Sequence, residues 1–276
     1  MKKTMASLLI FGVVLMVTSQ MTWAGDARVR ASDKIGKTTT LDDIEAEILF
    51  GRDLAARILG NYPLIKDDGM TRYVNLVGRG VALYAGRPEL KFYFGVLDSD
   101  EVNAFAAPGG YIFVTRAALM EMDSEAELAG VLGHEIAHVV EKHVIKELNI
   151  RGRSRSATDG LASLISGSTS SVKGALEQAV DQAADILFKK GYKVADEIEA
   201  DSTGVLIAAM AGYDPSGLSD FLTRVRHFEV QEISHDGDHP LHEVRINKIN
   251  EVITGHGLAH LSQNKVKERF YANIKN

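Results

Sequence analysis

Apolar residues recur at helical spacing from Ser124 to about Leu148, and within that stretch stands His134-Glu135-Ile136-Ala137-His138. Leu128, Val131, Leu132, Ile136 and Val139 give the helix one buried side, and the two histidines occupy another. Glu125 and Glu127 suit its N-terminus, where carboxylates are favoured. Four residues turn a helix by about 400°, so His134 and His138 point the same way, one turn apart. Two imidazoles so placed can share one metal ion, since each bond is about 2.0–2.1 Å long. Glu135 projects about 100° round the helix, beside such an ion rather than on it. There it can take a proton from an activated water and hand it to a leaving amine. One helix cannot close this site alone, so the fold has to bring a third donor from elsewhere.

The chain of 276 residues contains no cysteine, which confines metal ligands to His, Asp and Glu and excludes a thiol nucleophile or disulfide scaffold. Its 31 basic residues against 37 acidic ones argue against a nucleic-acid partner. A later helical pattern, Val194 to Ala211, carries Glu197-Ile198-Glu199-Ala200-Asp201. Glu197 and Asp201 share a face; one can bind metal while the other holds a ligand's free imidazole N–H. On spacing alone Glu197 and Glu199 compete as the third ligand.

The start of the chain reads as an address. Lys2 and Lys3 precede an apolar run from about Met5 to Val17, and Thr22-Trp23-Ala24 suits a cut. This is the layout of a secretory signal peptide over residues 1–24, too short to span a bilayer as a helix. Export to the periplasm of a Gram-negative bacterium is expected, with an uncleaved N-terminal anchor as the alternative. Residues 25–40 are expected to form a flexible arm, followed by one domain over 41–276. Helical patterns run from Asp42 to Asn61, Asp68 to Ala85, Gly174 to Lys190, Pro215 to Phe228 and Glu243 to Ile253. Between them the period shortens to two at Phe92, Phe94 and Val96, and again at Tyr111-Ile112-Phe113-Val114, after a Pro108-Gly109-Gly110 turn. Residues 151 to 174 are Arg-, Gly- and Ser-rich and read as a loop or lid that can touch a substrate or a membrane surface. The sum is an α+β fold, mainly helical, with a small sheet.

His134 to His138 together with Glu197 to Asp201 resembles the HtpX/BepA-like family of zinc metallopeptidases, gluzincins that take a third ligand from an ExxxD motif. Further segments are similar to it: Asn103-Ala104-Phe105-Ala106-Ala107-Pro108-Gly109-Gly110-Tyr111-Ile112-Phe113-Val114, Ala211-Gly212-Tyr213-Asp214-Pro215, and His239-Pro240 followed by Arg245-Ile246. The resemblance covers roughly Leu41 to Ile253 and points to the soluble periplasmic branch. It implies one zinc ion per chain held by His134, His138 and Glu197, with Asp201 behind a histidine and Glu135 as the general base and acid. It implies an edge strand beside the cleft that binds substrate through Asn103, Gly109, Gly110, Tyr111, Ile112 and Phe113. His239 is expected either to stabilise an oxyanion or to occupy the metal's open position and hold the enzyme off. Arg245 is expected to support that oxyanion or to hold a carboxylate in place. His143 and His242 read as surface or helix-packing residues. The expected activity is endopeptidase cleavage of protein or peptide substrates in envelope quality control. A latent, chaperone-like module closed by His239 and a hydrolase of non-protein amides are the alternatives. Two histidines and one carboxylate also suit iron.

Overall fold

The computed structural model describes residues 41–148, 170–229, 242–261 and 264–275. The expected signal peptide, the N-terminal arm, His239 and most of the Gly/Ser-rich loop lie outside these residues.

Two helices come first, α1 (Leu41–Asn61) and α2 (Asp68–Ala82). Asp67 starts α2 by accepting a hydrogen bond from the Met70 amide at 2.8 Å. Met70, Tyr73, Val74, Val77 and Val81 then bury one stripe of it. Three short strands follow, β1 (Tyr93–Leu97), β2 (Ala104–Ala107) and β3 (Tyr111–Thr115). The sheet order is β1-β3-β2: β3 lies in the middle, parallel to β1 and antiparallel to β2. Side chains alternate across it. Phe94, Val96, Ala106, Ile112 and Val114 enter a core built with α2, while Leu97, Phe105, Ala107 and Phe113 enter a second core with Phe50, Leu54 and Ile58 of α1.

After α3 (Arg116–Glu121) comes the central helix α4 (Glu125–Val140), buried from Glu125 to Val139. Ser124 caps it, accepting from the Glu127 amide at 3.2 Å. Glu125 is fully buried yet ionised. Burial alone would raise its pKa, but Arg269, Tyr213 and Tyr73 donate to its carboxylate and hold the value below the ordinary one. Those donors tie α2 and the chain's C-terminal helix to the start of α4.

The expected continuous helix to Leu148 is interrupted. α4 stops at Val140, Lys142 takes the left-handed conformation (φ 58°), and a short α5 (His143–Glu147) follows. The break lets the Lys142 ammonium reach Glu47 at 3.4 Å, beside the fully buried pair Arg87–Glu47 at 3.0 Å. That electrostatic anchor offsets the conformational cost of a positive φ at a non-glycine.

The remaining elements are α6 (Ser170–Asp185), a π-helical turn (Ile186–Lys190), α7 (Val194–Met210), α8 (Gly217–Glu229), α9 (His242–Gly255), a 3₁₀ turn (Leu258–Leu261) and α10 (Lys267–Ile274). α6 begins four residues earlier than the helical pattern suggested. The two C-terminal elements after Ile253 lie beyond the last helical pattern of the sequence; both are short, four and eight residues.

Helices α4 and α7 cross with their backbones in contact. A Cβ added at Gly204 would lie 2.6 Å from the His134 nitrogen, and one at Gly133 would lie 2.7 Å from the Gly204 carbonyl oxygen. Only glycine fits there. Gly204→Ala is therefore expected to cost about 1–3 kcal/mol through overpacking and to weaken metal binding by prying the two helices apart. Chemical denaturation and metal titration of the variant check this; an unchanged midpoint and affinity would contradict the close crossing.

Candidate metal centre

The crossing sets one turn of α4 against one turn of α7. His134 and His138 bring their Nε2 atoms within 3.0 Å of each other, and the Glu197 carboxylate stands 3.6 Å from each. All three side chains are buried. Donors bound tetrahedrally at 2.0–2.1 Å lie about 3.3 Å apart, so the triangle has the dimensions of a shared ion. Glu197, not Glu199, faces the histidine pair.

The outer imidazole nitrogens decide what the inner ones can do. His134 Nδ1 lies 2.9 Å from Asp201 Oδ1. Burial favours the neutral form of Asp201, but Arg245 outweighs it and holds the carboxyl well below its usual range. An ionised carboxylate has no proton to give, so His134 carries its own on Nδ1. On the other side, His138 Nδ1 is 2.8 Å from His143 Nδ1, and His143 Nε2 is 3.3 Å from Glu199 Oε2. His143 donates to Glu199 and accepts from His138. Both Nε2 atoms are then left as lone pairs, facing each other and a carboxylate. Such a cluster is a receptacle for a cation, and its donor set fits a divalent metal.

Burial disfavours protonation of both histidines. For His134 the neighbouring Asp201 reverses the effect and raises the pKa, whereas His138 stays well below its ordinary value, pushed further by His134 and His143. Glu135, beside the ligands in the same cleft, is pushed up by burial to about 7. Arg245 reaches Asp201 through two hydrogen bonds, 2.8 Å from Nε and 2.7 Å from Nη2, and Glu197 at 3.0 Å from Nη1. Its guanidinium thus bridges two carboxylates of α7.

The cleft runs between β2 and the π-helical turn, over an apolar floor of Val131, Leu218, Phe221 and Leu222. Phe188 of the turn packs edge-on against Phe105 of β2, ring centroids 5.5 Å apart. Asn103 lies in the cleft, followed by Ala104, Phe105 and Ala106. The other residues expected to bind substrate are placed elsewhere. Tyr111, Ile112 and Phe113 belong to β3, which is paired on both sides and has no free edge for a peptide. Gly109 and Gly110 form the buried hairpin turn with φ of 76° and 96°, and a Cβ on Gly109 would lie 2.7 Å from the Ile48 Cα. Gly109 seats the hairpin on α1, and Gly110 lies close against the Lys91 backbone. The edge strand at the cleft is β2, whose alanine-rich sequence carries little strand propensity.

His143 is the partner of His138 that spacing could not reveal. Five residues beyond His138 in an unbroken helix, it would face about 140° away; only the left-handed Lys142 turns it back. His242 likewise lies in the cleft rather than on an outer surface.

A family model described as peptidase family M48 matches residues 70–253. The chain belongs to peptidase family M48. The match takes in every metal-centre residue named above. Among similar proteins, the putative beta-barrel assembly-enhancing protease of Vibrio cholerae is 29% identical over 192 residues, 69% of this chain and 39% of that protein. The mitochondrial metalloendopeptidase OMA1 of Schizosaccharomyces pombe is 29% identical over 184 residues, 66% of this chain and 52% of its own. The metalloprotease LoiP of Escherichia coli is 26% identical over 191 residues, 68% and 71%. The chain thus spans about two-fifths of the Vibrio relative. No helix among the described residues is long and apolar enough to cross a membrane.

Replacing His143 with Phe keeps a planar aromatic ring, somewhat larger, and removes both hydrogen bonds. Metal affinity is expected to fall about 10–100-fold, read by competition with a chromogenic chelator. Wild-type affinity in this variant would show that His138 is oriented without it.

Proposed function

We propose that this M48 domain is a zinc-dependent endopeptidase that cuts exported proteins in the cell envelope. The observation that carries the reading is the convergence of two imidazole lone pairs and the Glu197 carboxylate, with Glu135 beside them and a free strand edge at the same cleft. Two histidines and a glutamate are the donor set of several catalytic zinc sites. When bound, the metal supplies a Lewis acid and brings the pKa of water into the neutral range.

The chain's own residues do the rest. An extended peptide adds to the outer edge of β2, which has no strand partner among the described residues, and main-chain hydrogen bonds align it along the cleft. Glu135 takes a proton from the attacking water and delivers it to the leaving amine. His134 and His138 stay in one orientation because Asp201 and His143 fix their outer nitrogens. The apolar floor on α8 excludes water and offers room to a hydrophobic side chain.

Location in the envelope is supported by the signal-like residues 1–24 and by the name of the Vibrio relative, which refers to beta-barrel assembly. Cell fractionation of the full-length chain tests it. Metal analysis of protein purified without added metal separates zinc from iron, which the same donor set also suits.

Glu135→Gln is expected to retain the metal and to lower cleavage of an unfolded protein such as casein by about 10²–10⁴-fold. Metal content and cleavage are measured on the same preparation. Retained cleavage would remove Glu135 from its role as base.

A further inference from the structure

Beyond the ligands, Tyr192 brings into the cleft a buried hydroxyl with nothing to bind among the described residues. Tyr192 follows the π-helical turn, and Gly191, with φ of 69°, drops it onto the metal centre. Its ring stacks on His138, centroids 4.1 Å apart and planes inclined by 19°. The residue is buried, lines the same cleft as Glu135 and Glu197, and its hydroxyl has no hydrogen-bond partner among the described residues. A buried hydroxyl without a partner is a cost to folding that needs a reason. Packing does not supply one, because phenylalanine would stack on His138 equally well.

We propose that Tyr192 is a further catalytic residue whose hydroxyl donates a hydrogen bond to the scissile carbonyl oxygen as negative charge develops there. This rests on the peptidase reading above. A phenol keeps its proton at neutral pH and offers one O–H donor. Of the groups in this reaction, the carbonyl oxygen is the one that gains charge and needs a donor. Water's oxygen bonds to the carbonyl carbon, the C=O π pair moves onto the carbonyl oxygen, and Glu135 holds the water's proton. As the C–N bond breaks, the pair returns and that proton passes to the amine nitrogen. Tyr192 donates throughout and transfers nothing. Arg245 is committed to Asp201 and Glu197, so an oxyanion donor has to come from another element.

Tyr192→Phe isolates the hydroxyl from the stacking. In the metal-loaded protein, kcat on an unfolded-protein or peptide substrate is expected to fall about 10²–10³-fold, with KM within about threefold and metal affinity unchanged. Affinity for a phosphinic peptide, whose tetrahedral anion resembles the reacting carbonyl, is expected to fall in parallel. The Tm is expected to stay level or rise, since an unpartnered hydroxyl has been removed; a purely structural tyrosine would lower it. Wild-type kcat and wild-type phosphinic-peptide affinity in the variant overturn the proposal and leave the peptidase reading standing. If the metal-loaded wild type cuts no peptide bond, the reading and the proposal fall together.

Discussion

The centre depends on how closely two helices approach. Ligands drawn from separate helices can meet around one small ion only if their axes cross near the ligand turns, and side chains at the crossing would hold them apart. Gly133 and Gly204 remove that obstacle: each places its Cα hydrogen where any Cβ would strike the other backbone. His134 follows Gly133 directly, and Asp201 lies one turn before Gly204, so the contact point and the coordination geometry are a single feature. Rigidity follows from the rest of α4. Its fifteen buried residues and the Glu125 carboxylate, held by donors from three other segments, leave it little freedom to rotate. A site on such a helix is already organised before any ion or substrate arrives.

The parts of this arrangement that repeat with helical period were legible in the chain. His134, His138, Glu197 and Asp201 could be placed on common faces because four residues are close to one turn. What periodicity could not supply was tertiary. The left-handed Lys142 that turns His143 under His138 is favoured by the buried Glu47, nearly a hundred residues earlier, and no local signal marks it. The exchange of edge strands has a similar cause. Tyr111-Ile112-Phe113-Val114 has the stronger strand signature because it is buried on both faces and paired on both edges, and those same properties bar it from accepting a peptide. Ala104–Ala107 looks weak as a strand, yet short alanine side chains leave the backbone edge accessible beside the cleft. The elements after Ile253 are too short for a periodic pattern, but Phe270 and Ile274 are buried and Arg269 reaches Glu125; docking, rather than amphipathic pattern, makes that segment helical.

Charge explains why α9 belongs to the centre although it supplies no metal ligand. Glu135, Glu197 and Asp201 are all buried, and carboxylate charge gathered out of water is costly unless it is balanced. Arg245 offsets part of that charge, and a divalent cation held by His134, His138 and Glu197 would offset more. The guanidinium bridges Glu197, which would hold an ion, and Asp201, which faces the outer nitrogen of His134. Its fork spans Asp201 with Nε and Nη2 while Nη1 points to Glu197. A lysine ammonium offers the same charge from a single point and cannot make that bridge. The spacing between Asp201 and Glu197 is thus fixed twice, by the turn of α7 and by the width of one planar side chain from α9. The Glu197 oxygens are aimed before an ion is present.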